Sequence, residues 1–306
     1  AFSTEKEILG KDKRIISVSA GYSDMFSERV MVTSNGFEGD SSRSFYGLQA
    51  QVSVNGGNAR PESYWSESAL FYDQLKKEGV GKQAMERAIR KIGQRKVASG
   101  QIPMIVENRQ VGRLLSPLIS ALSGSAIQQK NSFLTDKLDQ PVFSEKLTIT
   151  DDPFIIGGHS SRLFDNEGLA TRKRQVVDAG ILKTRYVDTY YAKKLQTEPT
   201  NGSTTNLVFN TGDQSLEELI SSLAKGILVT GFNGGNCNGS TGDFSYGIEG
   251  FLIEKGKLSQ PVSEMNITGN MITLWSQIGA IARDSNVNSS WRTPSILFEG
   301  VDFSGA

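Results

Sequence analysis

The chain has 306 residues, 33 acidic and 33 basic side chains, and 37% hydrophobic residues. Balanced charge supplies none of the basic excess by which nucleic-acid binders neutralise phosphates, and no apolar run approaches the roughly 20 residues needed to cross a bilayer. One cysteine, Cys237, cannot form an internal disulfide and no secretory signal opens the sequence, so a reducing cytoplasm is the expected setting, where the Asn-x-Ser/Thr sequences at Asn201, Asn238, Asn266 and Asn288 mean nothing.

Residues 14–20 and 28–33 alternate in the manner of half-buried strands, Asn35-Gly36 is a turn signal, and residues 44–54 supply a third strand. Helices are predicted over 67–76 and 82–96. In the second, Ala84, Met85, Ala88, Ile89 and Ile92 recur at helical spacing while Lys82, Arg87, Lys91 and Arg95 point away, as on a solvated surface helix. Gly100 and Pro103 mark a boundary between a smaller α+β domain, 1–98, and a second domain, 99–306.

The second domain opens with a short apolar strand, 102–106, and an apolar helix, 109–122, with Gly124 placed to cap its end. Pro117 lies inside that helix and either kinks it or marks its true start with Ser116 as N-cap. Short strands follow at 147–150, 171–177, 180–187 and 207–210, separated by Gly, Asp and Asn. Ser215 and Glu218 form a capping box that opens a short helix ending near Gly226. A turn at Lys255-Gly256 and a strand over 267–272 complete the pattern. Many short strands with few helices indicate an α+β protein whose strand-rich C-terminal domain holds a curved or barrel-like mixed sheet, preceded by the smaller α+β domain.

The segment GILVTGFNGGNCNGSTGDFSYGIEGFLIE, 226–254, is the most informative. It reads as two short strands, 227–229 and 251–254, joined by about twenty residues rich in Gly, Asn, Ser and Thr; a connection that long in a compact domain is usually functional. Phe244, Tyr246 and Ile248 return at strand spacing, so an ordered loop beside a site is expected, with positive φ among Gly234, Gly235 and Gly242. The loop lacks the Gly-Lys-Ser/Thr ending of a phosphate-binding loop.

The same region, TGDFSYGIEGFLIEKGKLSQPV (241–262) with ITGNM (267–271), closely resembles the C-terminal part of the TldD/PmbA family, historically called modulators of DNA gyrase. The likeness extends through LLSPLISALSGSAIQQKNSFLTDKL (114–138) and TITDDP (148–153), and more weakly VTSNGFEGD (32–40). The resemblance implies paired, related subunits, one with zinc and one without, acting together as an intracellular metalloprotease that trims peptides. It also implies that an N-terminal domain of the family is missing from this chain. The zinc-bearing subunit carries His-Glu-x-x-x-His on a helix and a cysteine further on; at the matching positions this chain has Ser116, Pro117 and Ala121.

Residue chemistry agrees, because zinc takes His, Cys, Asp or Glu ligands, and the chain has one histidine, His159, and one cysteine. A mixed set drawn from Asp151, Asp152, His159 and Asp243 is the alternative. His159 between hydroxyls at Ser160 and Ser161 invites a serine-hydrolase reading, but no Gly-x-Ser-x-Gly elbow is present. Cys237 has no cationic sequence neighbour to make it reactive. No catalytic or metal residue is therefore assigned, no cofactor is expected in this chain, and zinc is expected only in a partner. The candidate substrate cleft comprises Asn236, Cys237, Asp243, Ser245 and His159. The expected function is the metal-free subunit of a TldD/PmbA-type protease, forming a chamber for an unfolded peptide with a zinc-bearing homologue. The alternatives are a homodimeric peptide-binding protein without proteolytic role and a regulator of DNA gyrase. No nucleic-acid or membrane partner is expected.

Overall fold

A computed structural model describes residues 1–305. The chain forms two compact units, the first comprising Ala1–Gln94 with Gly157–His159, and the second Arg95–Ile156 with the residues from Ser160 onward. No helix among the described residues is long and apolar enough to cross a membrane.

The first unit contains α1 (Phe2–Lys6), the antiparallel sheet β1 (Ile15–Val32), β2 (Glu38–Val54) and β3 (Glu62–Ala69), and α2 (Val80–Arg90). Alternation along β2 buries Leu48, Ala50, Val52 and Val54 against Ala84 and Ala88 of α2, whose small side chains let helix and sheet approach. The N-terminus of α2 has free amides that need acceptors. The Glu7 carboxylate supplies them, accepting from Gly79 and Gly81 at 2.9 Å and from Lys82 at 3.2 Å.

Two readings of this region change. The separate strands at 14–20 and 28–33 are one 18-residue strand, β1, held along its length by β2. The helix expected over 67–76 is instead the end of β3 followed by a single 3-10 turn at Tyr72–Gln74. Pairing with β2 extends the strand through Ala69, which sits opposite Tyr46, and the buried Glu67 is met by the Trp65 indole N–H at 2.8 Å.

The second unit proceeds through β4 (Gly100–Val106), α3 (Val111–Ala121), α4 (Gly124–Gln128), β5 (Ile149–Asp152), β6 (Arg174–Asp178), β7 (Ile181–Leu182) and α5 (Thr189–Leu195). It continues with β8 (Asn206–Phe209), α6 (Leu216–Ser221), β9 (Lys225–Cys237), β10 (Asp243–Glu254), β11 (Lys257–Asn270), α7 (Met271–Ser276), β12 (Ile278–Ile281), β13 (Trp291–Arg292) and β14 (Ile296–Ser304). Strands run in the order β11, β10, β9, β4, β14, and β11 pairs back onto β14 through Ile267 and Phe303, closing a five-stranded barrel with β12 attached to β14. Only β4 and β9 are parallel in it, so the sheet is mixed. A second sheet has the order β13, β8, β5, β6, β7. The barrel-like mixed sheet and the smaller preceding α+β region are thus as the sequence indicates.

The glycine-rich segment is strand, not loop. β9 and β10 form a long hairpin, and only residues 238–242 turn between them. Gly235, Gly247 and Gly250 sit where the two backbones come too close for a side chain: a Cβ on Gly250 would lie 1.9 Å from the Leu228 carbonyl oxygen. Register shifts beside Gly247 and Gly250 mark bulges that bend the hairpin. Two helix boundaries also differ. Pro117 lies within α3, which starts before it, so Ser116 is not an N-cap; Gly124 opens α4, where Ser123 is the N-cap accepting from the Ala126 amide at 3.3 Å. The Ser215–Glu218 capping box is present, and its helix ends at Ser221.

Candidate functional site

Helix α3 is two-faced. Val111, Leu114, Leu115, Leu118 and Ala121 form its buried stripe in the barrel core, with Phe244, Tyr246 and Trp275 in the same cluster. Arg113, Ser116, Pro117 and Ser120, at helical spacing, point the other way. They face the end of β9, and between them lies a cleft of about 410 Å³ whose far wall is Gly235, Asn236, Cys237, Gly239 and Tyr246, with Ala126 and Asn131 at one side.

Arg113 ties the two walls. Its guanidinium lies 4.7 Å from the centre of the Tyr246 ring and donates to the carbonyls of Gly235 at 2.9 Å and Gly234 at 3.2 Å. Gly235, which lies in the register shift between Asn233 and Asn236, has φ +82°, and a Cβ there would lie 2.1 Å from the Ser245 carbonyl oxygen. Gly234 and Gly242 also have positive φ. The hairpin turn is anchored by the Phe133 amide donating to Gly239 at 2.9 Å and by Ser240 Oγ donating to Asn131 Oδ1.

The structure gathers Ser116, Pro117, Ala121, Asn236 and Cys237 around this one cleft. Asp243 and Ser245 do not line it. Asp243 accepts from Thr241 Oγ1 at 2.7 Å and Asn270 Nδ2 at 2.9 Å, and these bonds hold its carboxyl below the usual range. Burial, then the Asp243 charge, pushes the Cys237 thiol up, the opposite of an activated nucleophile. His159 belongs to the first unit, where its Nε2 and Ser68 Oγ are 3.0 Å apart and its carbonyl accepts from Arg43. Of the residues that follow it, Ser160 donates its amide to Asn206 Oδ1 at 2.9 Å, and Ser161 donates its hydroxyl to the Ile155 carbonyl at 2.6 Å.

As a zinc site the donor set does not fit. Ser116 offers a neutral hydroxyl, Pro117 and Ala121 offer no donor, and Cys237 carries a raised pKa. The mixed alternative fails on geometry, because no three His, Cys, Asp or Glu side chains among the described residues stand close enough to hold a metal. Asp151 is buried and accepts from the Thr205 amide at 2.8 Å, the Thr205 hydroxyl and the Tyr186 hydroxyl at 3.1 Å, while Asp152 pairs with Lys173 at 2.8 Å.

Arg113, Ser120, Asn131 and Tyr246 were not singled out by the sequence. For Arg113 and Ser120 the signal was available, since they stand three residues before Ser116 and four after it on the polar face of α3. Asn131 and Tyr246 reach the cleft through tertiary folding alone.

The profile of the PmbA/TldA metallopeptidase C-terminal domain matches residues 99–305, and that of the central domain residues 1–92. A Buchnera aphidicola metalloprotease PmbA homologue is 31% identical over 306 residues, covering 99% of this chain and 69% of the relative. The Escherichia coli O157:H7 metalloprotease PmbA is 28% identical, with coverage of 100% and 69%. The crystal structure of a Bacteroides thetaiotaomicron protein called a "putative modulator of DNA gyrase" superposes with a TM-score of 0.98 at 54% identity, over 100% of this chain and 70% of that one.

Proposed function

The chain belongs to the PmbA/TldD metallopeptidase family, and from that premise we propose that it is a metal-free subunit that holds an unfolded peptide beside a zinc-bearing homologue. The carrying observation is that Ser116, Pro117 and Ala121, at the family's ligand and base positions by resemblance, line one cleft with Asn236 and Cys237. Hydrolysis needs a metal-bound or otherwise activated water and a group to take its proton. None of the three can serve.

The cleft retains hydrogen-bonding capacity. Ser116, Ser120, Asn131 and Asn236 offer hydroxyls and amides around a floor of Pro117, Ala121 and Ala126. Paired donors and acceptors over a small apolar floor suit the repeating amides of an extended peptide better than a compact charged ligand. Arg113 supplies the one cation and is already engaged with two carbonyls. In this reading the chain orients substrate, and a homologous subunit supplies zinc and cleavage in a shared chamber within the cytoplasm.

The test is reconstitution. The chain alone is expected to cleave no peptide and hold no stoichiometric zinc by elemental analysis. Mixing it with a zinc-bearing homologue is expected to give a mixed complex and chelator-sensitive cleavage. Ser120→Trp, which fills the cleft from an exposed position, is expected to depress that cleavage while leaving the complex intact. About one tightly held zinc per isolated chain, or a mixture with no gain in cleavage, overturns the proposal.

A further inference from the structure

Among the described residues no Asp or Glu lines the α3 cleft, and its one permanent charge is Arg113. Both bonds from that side chain to the Gly234 and Gly235 carbonyls leave from Nη2; Nε and Nη1 donate to nothing among the described residues. Further donors stand around it. The Ser116 and Ser120 hydroxyls and the Asn236 side-chain amide make no hydrogen bond among the described residues. Asn131 accepts from Ser240 Oγ through Oδ1, which leaves its Nδ2 to donate. Asp243, the acid whose charge reaches Cys237, lies outside the lining and is occupied by Thr241 Oγ1 at 2.7 Å and Asn270 Nδ2 at 2.9 Å.

The guanidinium is also fixed in place. Its face lies over the buried Tyr246 ring, and Nη2 is pinned by the backbone of β9 at a point where Gly235 is wedged against β10. A mobile arginine loses rotamer freedom when it grips an anion; this one has lost it in advance. With Nη2 spent, the two-nitrogen fork that commonly meets a carboxylate is closed. One carboxylate oxygen is then left to Nη1 and the other to a hydroxyl or amide of the lining. A fixed positive charge among donors, with no acid beside it, is complementary to a negative group.

We propose, on the basis of the peptide reading of this cleft, that Arg113 makes it selective for a carboxylate of the bound peptide, borne by an acidic side chain or by the peptide's own C-terminus. Carboxylates are the anions an unmodified peptide carries near neutral pH. The extended backbone still supplies most of the contact, so the ligand is a peptide with one anchored anion rather than a compact charged molecule. An arginine that only braced the hairpin would affect all peptides alike. A specificity-determining one separates an acid from its amide, which has the same shape, lacks the charge and turns an NH2 donor toward the donors of the lining.

Fluorescence anisotropy of the chain with short peptides carrying a neutral dye tests it. The peptides share one frame rich in glycine and serine: one has a central glutamate and an amidated end, one a glutamine and an amidated end, and one a glutamine and a free C-terminal carboxylate. At low salt at least one carboxylate peptide is expected to bind about tenfold or more tighter than the neutral one, and which of them does so identifies the source of the anion. Arg113→Gln is expected to erase that preference with the circular dichroism unchanged, and Arg113→Lys, which keeps the charge, to retain part of it. Should Arg113→Gln fail to fold, the wild-type chain carries the test: its preference is expected to narrow several-fold from low to high salt while the affinity for the neutral peptide holds. Equal affinity for all peptides, or a preference that survives Arg113→Gln or high salt, overturns the inference and leaves the peptide reading standing. Binding of none of them overturns both.

Discussion

Gly234 and Gly235 are adjacent, both have positive φ, and they differ in what a side chain would meet. Gly234 has φ +67° and nothing within 4 Å of a built Cβ; Gly235 has φ +82° and a Cβ 2.1 Å from Ser245 O and 2.7 Å from Tyr246 Cα. Alanine at either site incurs about 1–2 kcal/mol for the left-handed backbone. It recovers about 0.4–1 kcal/mol by restricting the unfolded chain. The net expectation for Gly234→Ala is therefore a loss of about 0–1.6 kcal/mol.

At Gly235 the overlapping atoms are backbone of the paired strand and cannot swing aside, so β10 must shift by an ångström or so, adding about 1–3 kcal/mol of overpacking strain. The shift would carry Tyr246 away from the Arg113 guanidinium and from its stack on Phe244, 5.5 Å between ring centres. Gly235→Ala is thus expected to cost about 1–4.6 kcal/mol, at least 1 kcal/mol more than its neighbour. Urea unfolding followed by fluorescence of the buried Trp275 reads the difference as a shift in midpoint. Equal shifts for the two variants would refute the claim that strand approach, rather than backbone conformation, requires glycine at 235.

Two other outcomes follow from buried chemistry in the second unit. Asp151→Ala leaves the Thr205 amide and hydroxyl and the Tyr186 hydroxyl without their acceptor, and is expected to cost about 3–5 kcal/mol in urea unfolding; a loss under about 1 kcal/mol would exclude the hydrogen-bond assignment. For Cys237 the raised thiol pKa means less thiolate at any given pH than in free cysteine, so the pH midpoint of iodoacetamide alkylation is expected above that of a cysteine peptide. Asp243→Asn should lower that midpoint only in part, because burial is the larger cause; a midpoint below the peptide's would contradict both causes.

Legibility in the sequence followed burial. Residues 44–54 read correctly as strand because Leu48, Ala50, Val52 and Val54 alternate against a real core, and Ser215 with Glu218 announced its helix because a capping box is local chemistry. The middle of β1 did not read as strand because its side chains are exposed on both faces, which removes the alternation that pattern reading depends on. The β9–β10 hairpin was mistaken for a loop because glycine signals a turn in isolation, whereas here Gly235 and Gly250 mark close approach between paired backbones. The helical wall of the cleft was legible from spacing on α3. Its opposite wall was not, since Gly235 and Cys237 meet α3 across more than a hundred residues of chain.

The arrangement of α3 separates core packing from the lining of the cleft. Its core contribution comes from Val111, Leu114, Leu115 and Leu118, while Ser116 and Ser120 are exposed on the other side. A polar substitution on that face removes no buried contact, so the barrel imposes little stability penalty on it. Ala121 differs, being both buried and at the cleft wall, so a larger side chain there must find room in the cleft itself. Pro117 adds a constraint of another kind, because it withholds the amide that would bond to the Arg113 carbonyl in the preceding turn. The same turn projects the Arg113 side chain to Gly234 and Gly235. The residue at position 117 is therefore coupled to the backbone of the cleft, and replacing Pro117 would alter helix hydrogen bonding as well as the cleft lining.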